Sequence, residues 1–138
     1  MRIDSIRNGI VIDHITAGRG MKLYELLGLE ELDCSVAIIK NAYSEKKGRK
    51  DIIKIDADIT VNLDVIGYVD PTATINVIKD EKLVEKHTIG TPKLLKNVIR
   101  CKNPRCITGT EQELDHVFYL ADEETKTYRC KYCETKAN

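Results

Sequence analysis

From Ile10 to Ile89 the apolar positions fall into short β-branched runs broken by turn formers, with two intervals of helical spacing between them. Ile10 to Ile15 reads as a strand, entered through Asn8-Gly9 and left through Thr16-Ala17-Gly18-Arg19-Gly20. Leu23, Leu26 and Leu27 then recur as on one face of a short helix, which Gly28 can end by supplying a left-handed residue. Residues 34–42 (CSVAIIKNA) and 49–56 (RKDIIKID) predict a hairpin around the charged turn Ser44-Glu45-Lys46-Lys47-Gly48. Val61, Val65, Ile66 and Val69 predict a second helix before Asp70-Pro71, against the low helix propensity of β-branched side chains. Residues 73–79 and 83–89 predict a further strand pair across Asp80-Glu81, and Gly90-Thr91-Pro92 then breaks the pattern.

The order strand, helix, strand, strand, helix, strand, with one extra strand, predicts an α+β fold: a ferredoxin-like N-terminal sandwich whose helices cover one sheet face and leave the other for a partner. The break places a domain boundary at residue 92, with residues 93–138 forming a second, β-rich zinc-ribbon domain. In that domain His116 to Leu120 and Thr127 to Arg129 alternate as the strands of a hairpin.

Cysteine spacing changes the picture most. Cys101 and Cys106 form a C-x4-C pair and Cys130 and Cys133 a C-x2-C pair, close enough along a hairpin for four thiolates to converge on one zinc ion. Two disulfides are the alternative; the opening segment has Asp4 and Asp13 where an export signal needs an uncharged core, which places the chain in the cytoplasm with reduced thiols and favours metal. A four-thiolate shell leaves no open coordination position, so the expected metal is structural and His87 and His116 are not ligands. Cys34, alone in an apolar run, reads as a small buried residue.

Charge excludes more than it suggests. Twenty-two basic and twenty-two acidic side chains cancel, so no global field favours nucleic acid, and no apolar run is long enough to span a membrane. Arg100, Lys102, Arg105, Arg129 and Lys131 adjoin the cysteines and either compensate the negative tetrathiolate or form a docking patch for RNA or an acidic protein surface. Strand periodicity puts Lys50, Ile52 and Lys54 on one face and Asp51, Ile53 and Ile55 on the other, setting two ammonium groups roughly 7 Å apart. They are either solvated surface lysines or a polyphosphate grip that Lys86 could extend. Asp13-His14 suggests acid–base chemistry, but regular alternation points the two side chains to opposite faces and no third catalytic group, phosphate-binding loop or nucleophile elbow accompanies them.

RNGIVIDHI, GRKDIIKI, PTATINVI and the closing C-x4-C and CKYCE motifs, in that order along nearly the whole chain, resemble the regulatory chain of aspartate carbamoyltransferase. The resemblance implies a non-catalytic allosteric subunit that binds CTP or ATP in its N-terminal domain. It also implies a homodimer of regulatory chains whose zinc domains dock onto separate catalytic chains, in feedback control of pyrimidine biosynthesis. Carried over by matching positions, Ile3, Asp4, Ile6, Val11, Asp13 and His14 would lie around base and sugar. Lys54 and Lys86 would meet ribose or triphosphate, with Lys50 close by and Asn76 and Ile78 lining the pocket. Glu81 departs from the aromatic residue the family pattern leads one to expect. A zinc-ribbon RNA- or ribosome-binding protein is the competing expectation.

Overall fold

A computed structural model of the chain describes residues 6–111 and 113–137. Two compact units are present, Met1–Gly90 and Thr91–Asn138.

In the first unit β1 (Gly9–Thr16), α1 (Gly20–Leu26), β2 (Val36–Ser44), β3 (Gly48–Ile55), α2 (Leu63–Val69), β4 (Thr74–Lys79) and β5 (Lys82–Thr88) follow the anticipated order. The antiparallel sheet runs β2-β3-β1-β4-β5, so β1 is central and the first four strands adopt the ferredoxin-like arrangement. Ile10, Ile12 and Ile15 of β1, Ile53 and Ile55 of β3 and Ile75 of β4 are buried with Leu23 of α1 and Val65, Ile66 and Val69 of α2. Burial of that stripe is what makes a helix of the β-branched segment, helped by the Asn62 side chain, which accepts from the Asp64 N–H at 2.9 Å.

α1 has no side-chain cap of its own. Instead the fully buried Asp51 carboxylate on β3 accepts from the backbone N–H of Gly18 (3.0 Å), Gly20 (2.9 Å) and Asn41 (3.0 Å), tying helix, strand and hairpin together. Glycine at 20 is required by that approach, since a Cβ there would lie 2.8 Å from Asp51 Oδ2. Gly28 (φ +67°) ends the helix as anticipated, and a 3-10 turn, Leu29–Glu31, follows. Asp80 and Glu81 both have positive φ and form the two-residue turn of the β4–β5 hairpin.

One expectation fails in β1. Its register against β3 shifts between Ile12 and Ile15, and His14 has φ +58°. The bulge breaks alternation: Ile12 and Ile15, three apart, are both buried, and Asp13 and His14 between them are both partly exposed rather than split across the sheet.

The second unit is a three-stranded sheet, β6-β7-β8, with a one-turn helix. β7 (Val117–Asp122) and β8 (Thr127–Cys130) are the anticipated hairpin, whereas β6 (Leu94–Lys96) and α3 (Ile107–Thr110) carry too few residues to show a period. Its buried apolar side chains are few: Leu95, Phe118 and Tyr128 beside Cys106 and Cys130. Among the described residues no helix is long and apolar enough to cross a membrane.

Candidate metal centre and the free face of the sheet

Cys130 ends β8, and a tight turn brings Cys133 back beside it, with Glu134 N–H donating to Cys130 O and Cys130 N–H donating to Thr135 O, both at 2.9 Å. The first pair is shaped by Asn103, whose side chain accepts from Arg105 N–H (3.0 Å) and whose carbonyl accepts from Cys106 N–H (3.0 Å). The four Sγ atoms all lie within 4.8 Å of one another, with Cys101–Cys133 at 3.5 Å and Cys106–Cys130 at 3.7 Å. Tetrahedral zinc with bonds of about 2.3 Å sets sulfurs about 3.8 Å apart, so the spacing suits one ion, whereas disulfide sulfurs lie about 2.05 Å apart. All five cysteines are free thiols.

Cys106 and Cys130 are buried; Cys101 and Cys133 are half-buried. As free thiols they are driven apart: burial pushes Cys101 up to about 12 and raises Cys130, while hydrogen bonding to Thr135 pulls Cys133 down to about 6 and hydrogen bonding to Thr108 lowers Cys106. His116 lies outside the cluster and serves it, its Nδ1 accepting from Cys101 N–H at 3.4 Å. His87 is distant in role, paired with Glu85 at 3.2 Å. Of the flanking cations, Arg129 donates to the Glu134 carbonyl at 2.9 Å and so braces the second turn.

In the first unit the strand register assembles residues that lie far apart in sequence. Lys54 of β3 pairs with Val11 of β1, Val11 with Asn76 of β4, and Asn76 with Lys86 of β5, giving one row across four strands on the face opposite the helices. Ile78 stands beside Gly9 one step along the same face. The bulge adds Asp13 and His14. Lys50 binds Asp13 at 3.0 Å with both side chains largely buried, and His14 Nδ1 lies 2.9 Å from Thr74 Oγ1. Burial opposes ionisation of Asp13, but the Lys50 ammonium and the His14 N–H outweigh it and hold the carboxyl below its ordinary value. Burial lowers His14, and the charges of Lys50, Lys46 and Lys86 add to that against Asp13.

Lys54 and Lys86 make no ion pair among the described residues, and Asn76 Oδ1 is buried without a hydrogen-bond partner there. Ile6 is buried, with its Cγ2 against Gly9; Ile3 and Asp4 lie outside the described residues. Sequence reasoning missed Lys47, whose Nζ donates to the His14 carbonyl (2.6 Å) and Thr72 Oγ1 (2.5 Å) and so holds the bulge. Its only signal was a basic run that read simply as a hairpin turn.

Both units of the chain match known proteins. Residues 1–90 match the family model for the aspartate carbamoyltransferase regulatory chain, allosteric domain, and residues 93–138 that for its metal binding domain. The aspartate carbamoyltransferase regulatory chain of Clostridium botulinum strain Hall is 54% identical over 134 residues, covering 97% of this chain and 92% of the relative. That of Clostridium tetani is 52% identical over 135 residues, covering 97% and 94%, and that of Bifidobacterium longum 42% identical over 137 residues, covering 99% of each. An RNA- or ribosome-binding zinc ribbon is not favoured by any of these matches, and the chain belongs to the family of aspartate carbamoyltransferase regulatory chains.

Proposed function

We propose that this chain is a non-catalytic subunit that binds CTP and ATP on the free face of its N-terminal sheet and docks onto catalytic chains of aspartate carbamoyltransferase through a zinc-built C-terminal domain. Cys101, Cys106, Cys130 and Cys133 hold one zinc ion in the cytoplasm, where thiols stay reduced, and regulatory chains pair as homodimers.

The observation that carries the nucleotide reading is the row Lys54–Val11–Asn76–Lys86, with an orphaned amide oxygen at its centre. Two cations without ion-pair partners among the described residues suit a triphosphate. The buried acceptor suits a ligand that brings a donor, such as a ribose hydroxyl or the exocyclic amine common to cytosine and adenine. Val11 and Ile78 offer apolar surface to a base, and Asp13 and His14 stand at the edge of the row. Ile3, Asp4 and Ile6 complete the pocket in this reading.

Control then follows from linkage. A nucleotide that binds one quaternary state better shifts the assembly only by its differential affinity, typically about 1–3 kcal/mol. The test is to mix the zinc-loaded chain with the catalytic trimer of the same organism and measure aspartate saturation with and without CTP and ATP. Co-elution and a nucleotide-dependent shift of the curve are expected; a chain that neither binds the trimer nor alters its saturation overturns the reading. Cys133→Ala is expected to abolish association while leaving nucleotide binding intact, and equal loss of both contradicts the division of labour.

A further inference from the structure

Both cysteine pairs end in the same three-residue pattern. Cys106-Ile107-Thr108 and Cys133-Glu134-Thr135 each place a threonine two residues after the second cysteine. The two turns bring each hydroxyl onto its own cysteine: Thr108 Oγ1 lies 3.0 Å from Cys106 Sγ, and Thr135 Oγ1 lies 3.2 Å from Cys133 Sγ. Thr108 is buried, at 4% exposure, so its hydroxyl is not spent on solvent. Thr135 Oγ1 also accepts from Asn103 Nδ2 at 3.3 Å, which reaches across from the other cysteine pair. Among the described residues Cys101 and Cys130 have no hydroxyl partner.

A metal-bound thiolate has no proton to give, so in each contact the hydroxyl must be the donor. Thiolates that accept a hydrogen bond carry less charge and attack electrophiles more slowly, and a tetrathiolate zinc site has about two excess negative charges to disperse. Thr135 Oγ1 accepts from Asn103 Nδ2 and, while Cys133 is a thiol, from Cys133 Sγ as well, so its own proton turns to Cys133 only when that sulfur is a metal-bound thiolate. The cage is thereby asymmetric. All four sulfurs meet a backbone N–H: Cys106 (buried) and Cys133 (half-exposed) meet that of their own threonine as well as its hydroxyl, buried Cys130 meets those of Tyr132 and Cys133, and half-exposed Cys101 meets that of Asn103 alone.

We propose that Thr108 and Thr135 are positioning residues for the metal, donating hydrogen bonds that retain it, and that Cys101 is the corner at which the cage opens. The inference rests on the zinc of the proposed function, and its test separates the two. The zinc-loaded full chain and its Thr108→Val, Thr135→Val, Thr108→Ser and Thr135→Ser variants are challenged with a chromogenic chelator, and the same set is loaded with Co(II) to record the sulfur-to-metal charge-transfer band. The valine variants are expected to release zinc about 10–100-fold faster and to shift the band, as loss of outer partners of metal ligands generally does, while the serine variants behave like the parent. Thr135 is half-exposed, so Thr135→Val keeps the test open should Thr108→Val fail to fold.

Limited alkylation with N-ethylmaleimide, mapped by mass spectrometry, supplies the second measurement. Each alkylation forms a sulfur–carbon bond to the maleimide alkene, whose neighbouring carbon takes a proton from water as the sulfur leaves the metal. Among the four ligands Cys101 is expected to react first in the parent, with Cys133 joining it in Thr135→Val. Unchanged zinc release and an unchanged band in folded valine variants overturn this inference alone, as does Cys133 or Cys106 reacting first in the parent. A chain that takes up no metal overturns the zinc reading with it.

Discussion

Asn76 stands at the middle of β4 with a buried amide oxygen that no described group satisfies. An unmet buried acceptor costs about 1–3 kcal/mol, and natural chains retain such costs where a ligand relieves them. Asn76→Leu, close in volume and apolar, should therefore stabilise the ligand-free chain by about 1 kcal/mol in urea unfolding while weakening CTP and ATP binding. Loss of stability together with loss of binding would assign Asn76 to the fold instead. His14 gives a pH signature. Burial and three neighbouring lysines hold it below its ordinary value, so it is neutral near pH 7 when no ligand is bound. A triphosphate would offset those lysines and favour the imidazolium, so nucleotide affinity should rise as pH falls from about 8 to about 6. Titrations in buffers of different ionisation enthalpy should show proton uptake that His14→Gln reduces; the remainder belongs to the nucleotide's own phosphate.

Buried carboxylates set how the elements meet. Asp70, 1% exposed, accepts from Thr16 N–H (2.5 Å), Thr72 N–H (3.0 Å) and Thr72 Oγ1 (2.6 Å), joining the end of β1 to the segment after α2. Burial opposes its ionisation, but the Thr72 and Thr16 hydrogen bonds outweigh it and hold the carboxyl below its ordinary value. A depressed folded pKa contributes stability that is fully present above the unfolded carboxyl range, about 3.9, and is lost as pH falls through the lower folded value. Asp70→Asn should accordingly cost about 2–3 kcal/mol near neutrality, with a shortfall that shrinks as urea midpoints are measured at progressively more acid pH. Gly20→Ala should destabilise as well, although alanine is the better helix former, because its Cβ displaces the Asp51 carboxylate that caps α1. A stabilised Gly20→Ala variant would show that the cap is dispensable.

The same elements mark what the sequence could tell. Alternation and turn residues located β1 to β5 and the β7–β8 hairpin to within a few residues: β1, β3 and β4 bury residues of one face, while β5, exposed along its whole length, was marked by the turns at its two ends. Helical spacing located α2 despite its valines and isoleucines, since burial of Val65, Ile66 and Val69 outweighs propensity. The bulge at Asp13-His14 was not legible: it depends on Lys47, Thr72 and Asp70 holding the backbone from other elements. Cysteine spacing indicated the metal cluster directly, but the row Lys54–Val11–Asn76–Lys86 exists only in the register of four strands. Strand periodicity singled out Lys54 and, with it, Lys86 as a candidate polyphosphate grip; Val11 and Asn76 were nameable beforehand through resemblance alone.

At the scale of the whole molecule the two units differ in what holds them. The first buries six isoleucines across β1, β3 and β4 against Leu23, Val65, Ile66 and Val69, a core ample for an independent fold. Among the described residues the second buries Leu95, Phe118 and Tyr128, and beyond these only Cys106, Cys130 and Thr108. So small an apolar core does not offset the ordering entropy of its chain, and the cross-link through the metal must supply the difference. Metal removal should therefore unfold residues 91–138 while residues 6–90 keep their sheet. Backbone amide exchange checks this: after chelation the amides of β7 and β8 should exchange at unfolded rates, while those of β1 and β3 retain protection. CTP, if it binds the first unit as proposed, should then raise the melting temperature of the metal-free chain as it does that of the loaded one. Simultaneous loss of protection in β1 and β7 would show instead that the chain folds as a single cooperative body, and the metal would then be holding both halves.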